Sequence, residues 1–128
     1  MPASPAAERW ARARVAQLAP RYFPGQEDPV WDALRTAAGR HEAAWRRSRE
    51  GIYRPTVSMY AMALSWQLER QGPTCAICRG PLVPAGPGRT VGAARGLLSL
   101  GPRVLPAHGG RNVPQNLLLG HPGCLTAP

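Results

Sequence analysis

The chain has 128 residues, with sixteen arginines, no lysine, seven acidic residues and a formal net charge of +9. A chain of this size buries a modest core, so it holds one small domain or a small domain with a helical extension. No stretch approaches the roughly 20 apolar residues of a membrane span, and Met1-Pro2-Ala3-Ser4-Pro5 lacks the apolar core of a signal peptide. A cytoplasmic protein is expected, without a membrane partner. The basic balance points to a polyanion, most simply DNA or RNA and DNA before RNA, although abundant Arg, Ala, Gly and Pro also fit a genome rich in G and C.

The expected fold class is a small α+β protein: a helical region over residues 1–70, then a compact module over 71–128. The first helix starts at Ser4-Pro5 and carries Ala7, Ala11, Val15 and Leu18 at helical spacing until Pro20 stops it. Asp28-Pro29 caps a second, with Trp31, Leu34, Ala38, His41 and Trp45 on one stripe, ending before Gly51. A third starts near Thr56, places Val57, Tyr60, Ala61, Leu64 and Leu68 on one face, and ends at Gly72. Trp10, Trp31, Trp45 and Trp66 are all read as packing residues. Beyond Gly72, glycine and proline break the periodicity. Leu82 and Val83 anchor a loop from Gly80 to Gly92. Short strands are expected over Gly96–Leu100 and Arg103–Leu105. Asn112 is expected to cap a short helix from Pro114 that carries Asn116 and Leu117 to Leu119.

All three cysteines fall into one pattern, Cys75-Ala-Ile-Cys78 and then His121-Pro-Gly-Cys124. Two such pairs let each half wrap one face of a tetrahedral ion, and soft thiolate and imidazole donors suit Zn2+. Cys75, Cys78, His121 and Cys124 are therefore the expected ligands of a structural zinc. Three cysteines cannot all pair in disulfides, which agrees with a reducing compartment.

Residues 71–78 (Gln-Gly-Pro-Thr-Cys-Ala-Ile-Cys), Leu98-Ser99-Leu100, Pro106 to Asn112, Asn116-Leu117 and His121 to Cys124 together resemble the HNH endonucleases of the ββα-metal fold. The resemblance covers about residues 71–124. It implies a hairpin whose loop carries Gly-Gly and Asn, a zinc-stapled module, and contact with DNA. Family members also carry an Asp-His or Glu-His pair where this chain has Gly101-Pro102, or Pro102-Arg103 with one residue of slip. They place a His or Asn after the last knuckle cysteine, where Leu125 stands. Of the three naming residues, Asn116 alone is matched.

In that family the histidine activates water while the acid and the final His or Asn hold a catalytic divalent ion. Hard ions want oxygen ligands, and Arg70 to Pro128 contains no carboxylate side chain. His108 is the remaining candidate base and Asn116 its candidate companion. Asn116 has a second reading as a brace of the hairpin loop. Arg79, Arg89, Arg95, Arg103 and Arg111, with no acid among them, are the candidate phosphate contacts. The expected function is nucleic-acid binding by an HNH-like protein whose nuclease activity is lost or strongly impaired. The alternatives are an active endonuclease using substituted residues, which alone would need a catalytic divalent metal, and a zinc-stabilised adaptor meeting a protein through its N-terminal helices.

Overall fold

The computed structural model describes residues 5–46, 56–84 and 97–125, with the backbone alone over 41–46. Its elements in order are α1 (Pro5–Tyr22), α2 (Glu27–Arg46), α3 (Val57–Gln71), β1 (Ser99–Pro102), β2 (Leu117–Gly120) and α4 (Pro122–Leu125). The α+β class holds. β1 and β2 form one antiparallel pair, with Ser99 opposite Gly120 and Pro102 opposite Leu117. Against this sheet, α2 packs on β1 and α3 on β2, while α1 packs on both α2 and α3.

The helical stripes explain the packing. In α1, Ala11, Val15 and Leu18 point inward as their spacing requires. Helix α1 does not stop at Pro20, which lies inside it; the chain runs on to Tyr22 and Phe23 still donates to the Ala19 carbonyl at 2.7 Å. A proline so close to a helix end forfeits one backbone bond that the packed face of α1 tolerates. Helix α3 follows its sequence signals at both ends. Thr56 Oγ1 accepts the Met59 amide at 3.2 Å, and Gly72, at φ +73, returns its N–H to the Leu68 carbonyl. Tyr60, Ala61, Leu64 and Leu68 are buried along its inner face.

One apolar cluster runs from Ala11 on α1 through Leu34 and Leu64 to Leu82, Leu98, Leu100, Leu117 and Leu119, and Cys75 belongs to it. Each such aliphatic side chain contributes about 1.5–3 kcal/mol on burial. The sheet face is therefore the floor onto which the helices settle.

Further expectations fail. Asp28 does not cap the second helix, which begins at Glu27 with Val30 N–H on the Gln26 carbonyl, so Asp28 and Pro29 lie in its first turn. The first strand overlaps the expected range only at 99–100 and runs to 102, no strand forms over 103–105, and β1 pairs with 117–120 instead. The helix expected from Pro114 is a single 3-10 turn over Pro114–Asn116, capped by Val113 rather than Asn112, after which Leu117 to Gly120 extend as β2. Leucine's helical preference is weak beside the backbone bonds and burial that pairing with β1 provides. Trp31 is buried, but Trp10 is 44% and Trp66 40% exposed. Both sit on outward sides of α1 and α3, where apolar identity did not reveal direction. Trp45 has its side chain outside the described residues. So do Ser4, the ends of the second helix near Gly51, and most of the loop after Val83. Leu82 is buried and Val83 bridges to Leu97, so both anchors hold. Among the described residues, no helix is long and apolar enough to cross a membrane.

Candidate metal centre

The last turn of α3 aims the chain at the first cysteine pair. Gln71 and Thr74 clasp each other, the Gln71 amide donating to the Thr74 carbonyl and the Thr74 hydroxyl to the Gln71 carbonyl. Thr74 then bridges to Pro81, and Cys75 N–H donates to the Gly80 carbonyl at 2.9 Å, closing a tight loop over 75–80. Inside the loop, Arg79 N–H reaches the Cys75 carbonyl at 3.0 Å.

The second pair arrives from the sheet. Ala76 N–H donates to the Leu119 carbonyl on β2 at 2.9 Å, so the first knuckle is stitched to the strand that leads into His121. Immediately after, α4 turns Cys124 back over the same space, with Leu125 N–H on the His121 carbonyl. One ligand atom from each of Cys75, Cys78, His121 and Cys124 lies within 4.8 Å of all the others. Cys78 Sγ is 3.3 Å and Cys124 Sγ 3.9 Å from His121 Nδ1. These four residues are positioned to hold a metal ion. Among the described residues, no other group of three or more Cys, His, Asp or Glu converges in this way.

The surroundings prepare the donors. His121 Nε2 lies 2.8 Å from the Pro81 carbonyl, which can only accept, so the proton belongs on Nε2 and the lone pair on Nδ1 faces the sulfurs. Ile77 and His121 donate their N–H groups to Cys75 Sγ, and Gly80 donates to Cys78 Sγ, each at 3.4 Å. Burial pushes the Cys75 thiol up, but N–H groups of Cys78, His121 and Ile77 outweigh it and hold it at about 6. Burial, then the neighbouring Cys78 and Cys75 sulfurs, push Cys124 up to about 11. The N–H donors thus favour charge on the Cys75 sulfur, and a cation would make the remaining sulfur charge favourable to gather.

Two glycines sit in tight surroundings that the ligand spacing alone did not reveal. A Cβ at Gly120 would lie 3.0 Å from Cys75 Sγ and 3.2 Å from Leu125. Gly110 matters at the hairpin loop, where a Cβ would fall 1.8 Å from the Val104 carbonyl oxygen. Only glycine fits there, which gives the Gly109-Gly110 pair a physical meaning. Pro81 is another unforeseen participant, because a backbone carbonyl leaves no signature in side-chain identity.

The other candidate residues are scattered around that loop. Asn116 Oδ1 accepts Val104 N–H at 2.9 Å, while its Nδ2 donates to the carbonyls of Val104 at 3.0 Å and Arg111 at 2.9 Å. Its amide is engaged with backbone on both sides, as the bracing reading requires. His108 ends the 3-10 turn Pro106–His108 and is exposed. Gly101 and Pro102 lie buried in β1. Arg79, Arg103 and Arg111 are exposed, whereas Arg89 and Arg95 lie outside the described residues. The ion pairs among the described residues, Arg12–Asp28 and Arg14–Glu69, both belong to the helices. Comparison with protein-family models, with curated proteins and with solved structures finds no match to this chain.

Proposed function

We propose that this is a cytoplasmic nucleic-acid-binding protein, in which a zinc-stapled, HNH-like module has kept its metal-ligand pattern and lost its hydrolytic apparatus. The observation that carries the reading is an exposed arginine set, Arg79, Arg103 and Arg111, on a module with no carboxylate side chain from Arg70 to Pro128. Such a surface attracts phosphate. The donor set of three sulfurs and one imidazole nitrogen favours structural Zn2+ over harder ions.

Loss of catalysis follows from residue chemistry. Gly101 and Pro102, or Pro102 and Arg103 with one residue of slip, stand where the family's acid and histidine would belong, and their side chains offer no proton acceptor or metal ligand. Leu125 on α4 offers none either. Asn116 is occupied in holding the 104–111 loop, which makes it a brace for the arginines at the loop ends. His108 is the one imidazole left in the module outside the metal cluster.

An adaptor role is favoured by a different observation. Trp10, Met62 and Trp66 are exposed together on the helical side, and Trp10 and Met62 share with Ala7, Ser58, Met59 and Pro114 an apolar cavity of about 450 Å³. Exposed Trp and Met side chains are common at protein contacts.

A duplex DNA titration at two salt concentrations separates the readings. Nucleic-acid binding predicts affinity that falls steeply with salt, while an adaptor shows little salt-sensitive binding. Supercoiled plasmid incubated with Mg2+, Mn2+ or Ni2+ should stay intact. Nicking that disappears in His108→Ala would establish the endonuclease instead.

A further inference from the structure

Arg79 is the one non-glycine residue with a left-handed backbone among the described residues, at φ +69. An L-residue there pushes its Cβ towards the following carbonyl, a cost that glycine does not bear. The knuckle imposes the conformation, because Cys75 N–H must reach the Gly80 carbonyl while Arg79 N–H reaches the Cys75 carbonyl and Gly80 N–H reaches Cys78 Sγ. Glycine is used one step later, where a Cβ would lie 3.4 Å from Cys78 Sγ and from His121 Cε1. A coding preference for G and C does not account for arginine at 79, since it favours glycine equally and the chain has fourteen glycines. Strain retained at an exposed position is a mark of function.

The side chain is exposed, follows the last acidic residue of the chain by ten positions, and takes no part in the described ion pairs. We infer that Arg79 is a phosphate-contact residue, presented by the metal knuckle to the phosphodiester backbone of duplex DNA. The inference rests on the nucleic-acid reading above and adds that the strained turn is kept for its guanidinium. Arginine suits the task because its planar fork meets phosphate bidentately. The competing role is local: a zinc ion with three thiolates and a neutral imidazole carries a net charge near −1, which Arg79 would offset.

The test uses the full-length, zinc-loaded protein, a short labelled DNA duplex, and the variants Arg79→Gly and Arg79→Lys. Arg79→Gly should keep its metal, melt about 4 °C higher as strain is released, and bind DNA several-fold more weakly. Its slope of log affinity against log salt should be shallower by about one. Arg79→Lys should keep the parent's salt slope and its melting temperature. Unchanged DNA affinity and slope in Arg79→Gly would overturn the inference and leave the nucleic-acid reading standing. Metal loss accompanying weaker binding would assign Arg79 to the cluster instead. A parent protein without salt-dependent binding would overturn both.

Discussion

The helices and the module that carries the four-residue cluster share one core but are held in different ways. In α1 and α3, burial comes from repeated side chains: Ala11, Val15, Leu18, Tyr60, Leu64 and Leu68 each remove apolar area from water, and each can be lost singly. Between Thr74 and Leu125 the strands have four residues each, and the leucines they bury in the shared core are joined by contacts that occur only once. These include the four-ligand cluster, the fit of Gly120 against Cys75, the Gly110 approach to Val104, and three hydrogen bonds from one Asn116 amide. Apolar burial degrades by increments, whereas a ligand-and-glycine lattice fails as a unit.

That contrast is broken most severely by Cys75→Ser. The substitution removes a thiolate that also sits in the core at 0% exposure, so the module should lose both its ion and its seat against Leu119. The expected loss is comparable to the whole stability of a small domain, about 5–15 kcal/mol. Amide exchange should report deprotection of Cys75 to Gly80 and of β2; protection equal to the parent's would show that the ion is not a staple. Leu64→Ala sharpens the same contrast from the other side. It should cost about 2–5 kcal/mol by cavity formation, read from chemical denaturation, while the metal stays bound. Loss of metal in this variant would mean that the two regions do not differ as described.

The chain's own letters announced much of the helical half. Thr56 and Gly72 bracket α3 because capping acts within a turn, and the inward stripe of α1 is a local period. The four-residue cluster was equally legible, since its residue types and spacing carry the chemistry. The strands were not. Leu117 to Leu119 look helical by propensity, and Gly101-Pro102 looks like a break in a strand; only their mutual pairing makes β1 and β2. A proline is tolerated there because it ends an edge strand of a two-stranded sheet. The direction of Trp10 and Trp66 was hidden for a similar reason. Two faces of a short helix can both be apolar, and which one meets the core is a property of its neighbours.

His121 shows how far such reading extends. Its place in the cluster was visible in the HxxC spacing, but its tautomer is set by the carbonyl of Pro81, distant in sequence. Asn116 shows the converse: the family resemblance singled it out, and its three backbone bonds supply what it does in the fold without calling on catalysis.

Metal content measured on the purified full-length chain tests the central claim most directly. The account predicts about one zinc per folded chain, matching a single donor set of three sulfurs and one nitrogen, and its absence from Cys75→Ser. A chain that is folded, with residues 73–125 protected from exchange and no bound metal, would contradict it.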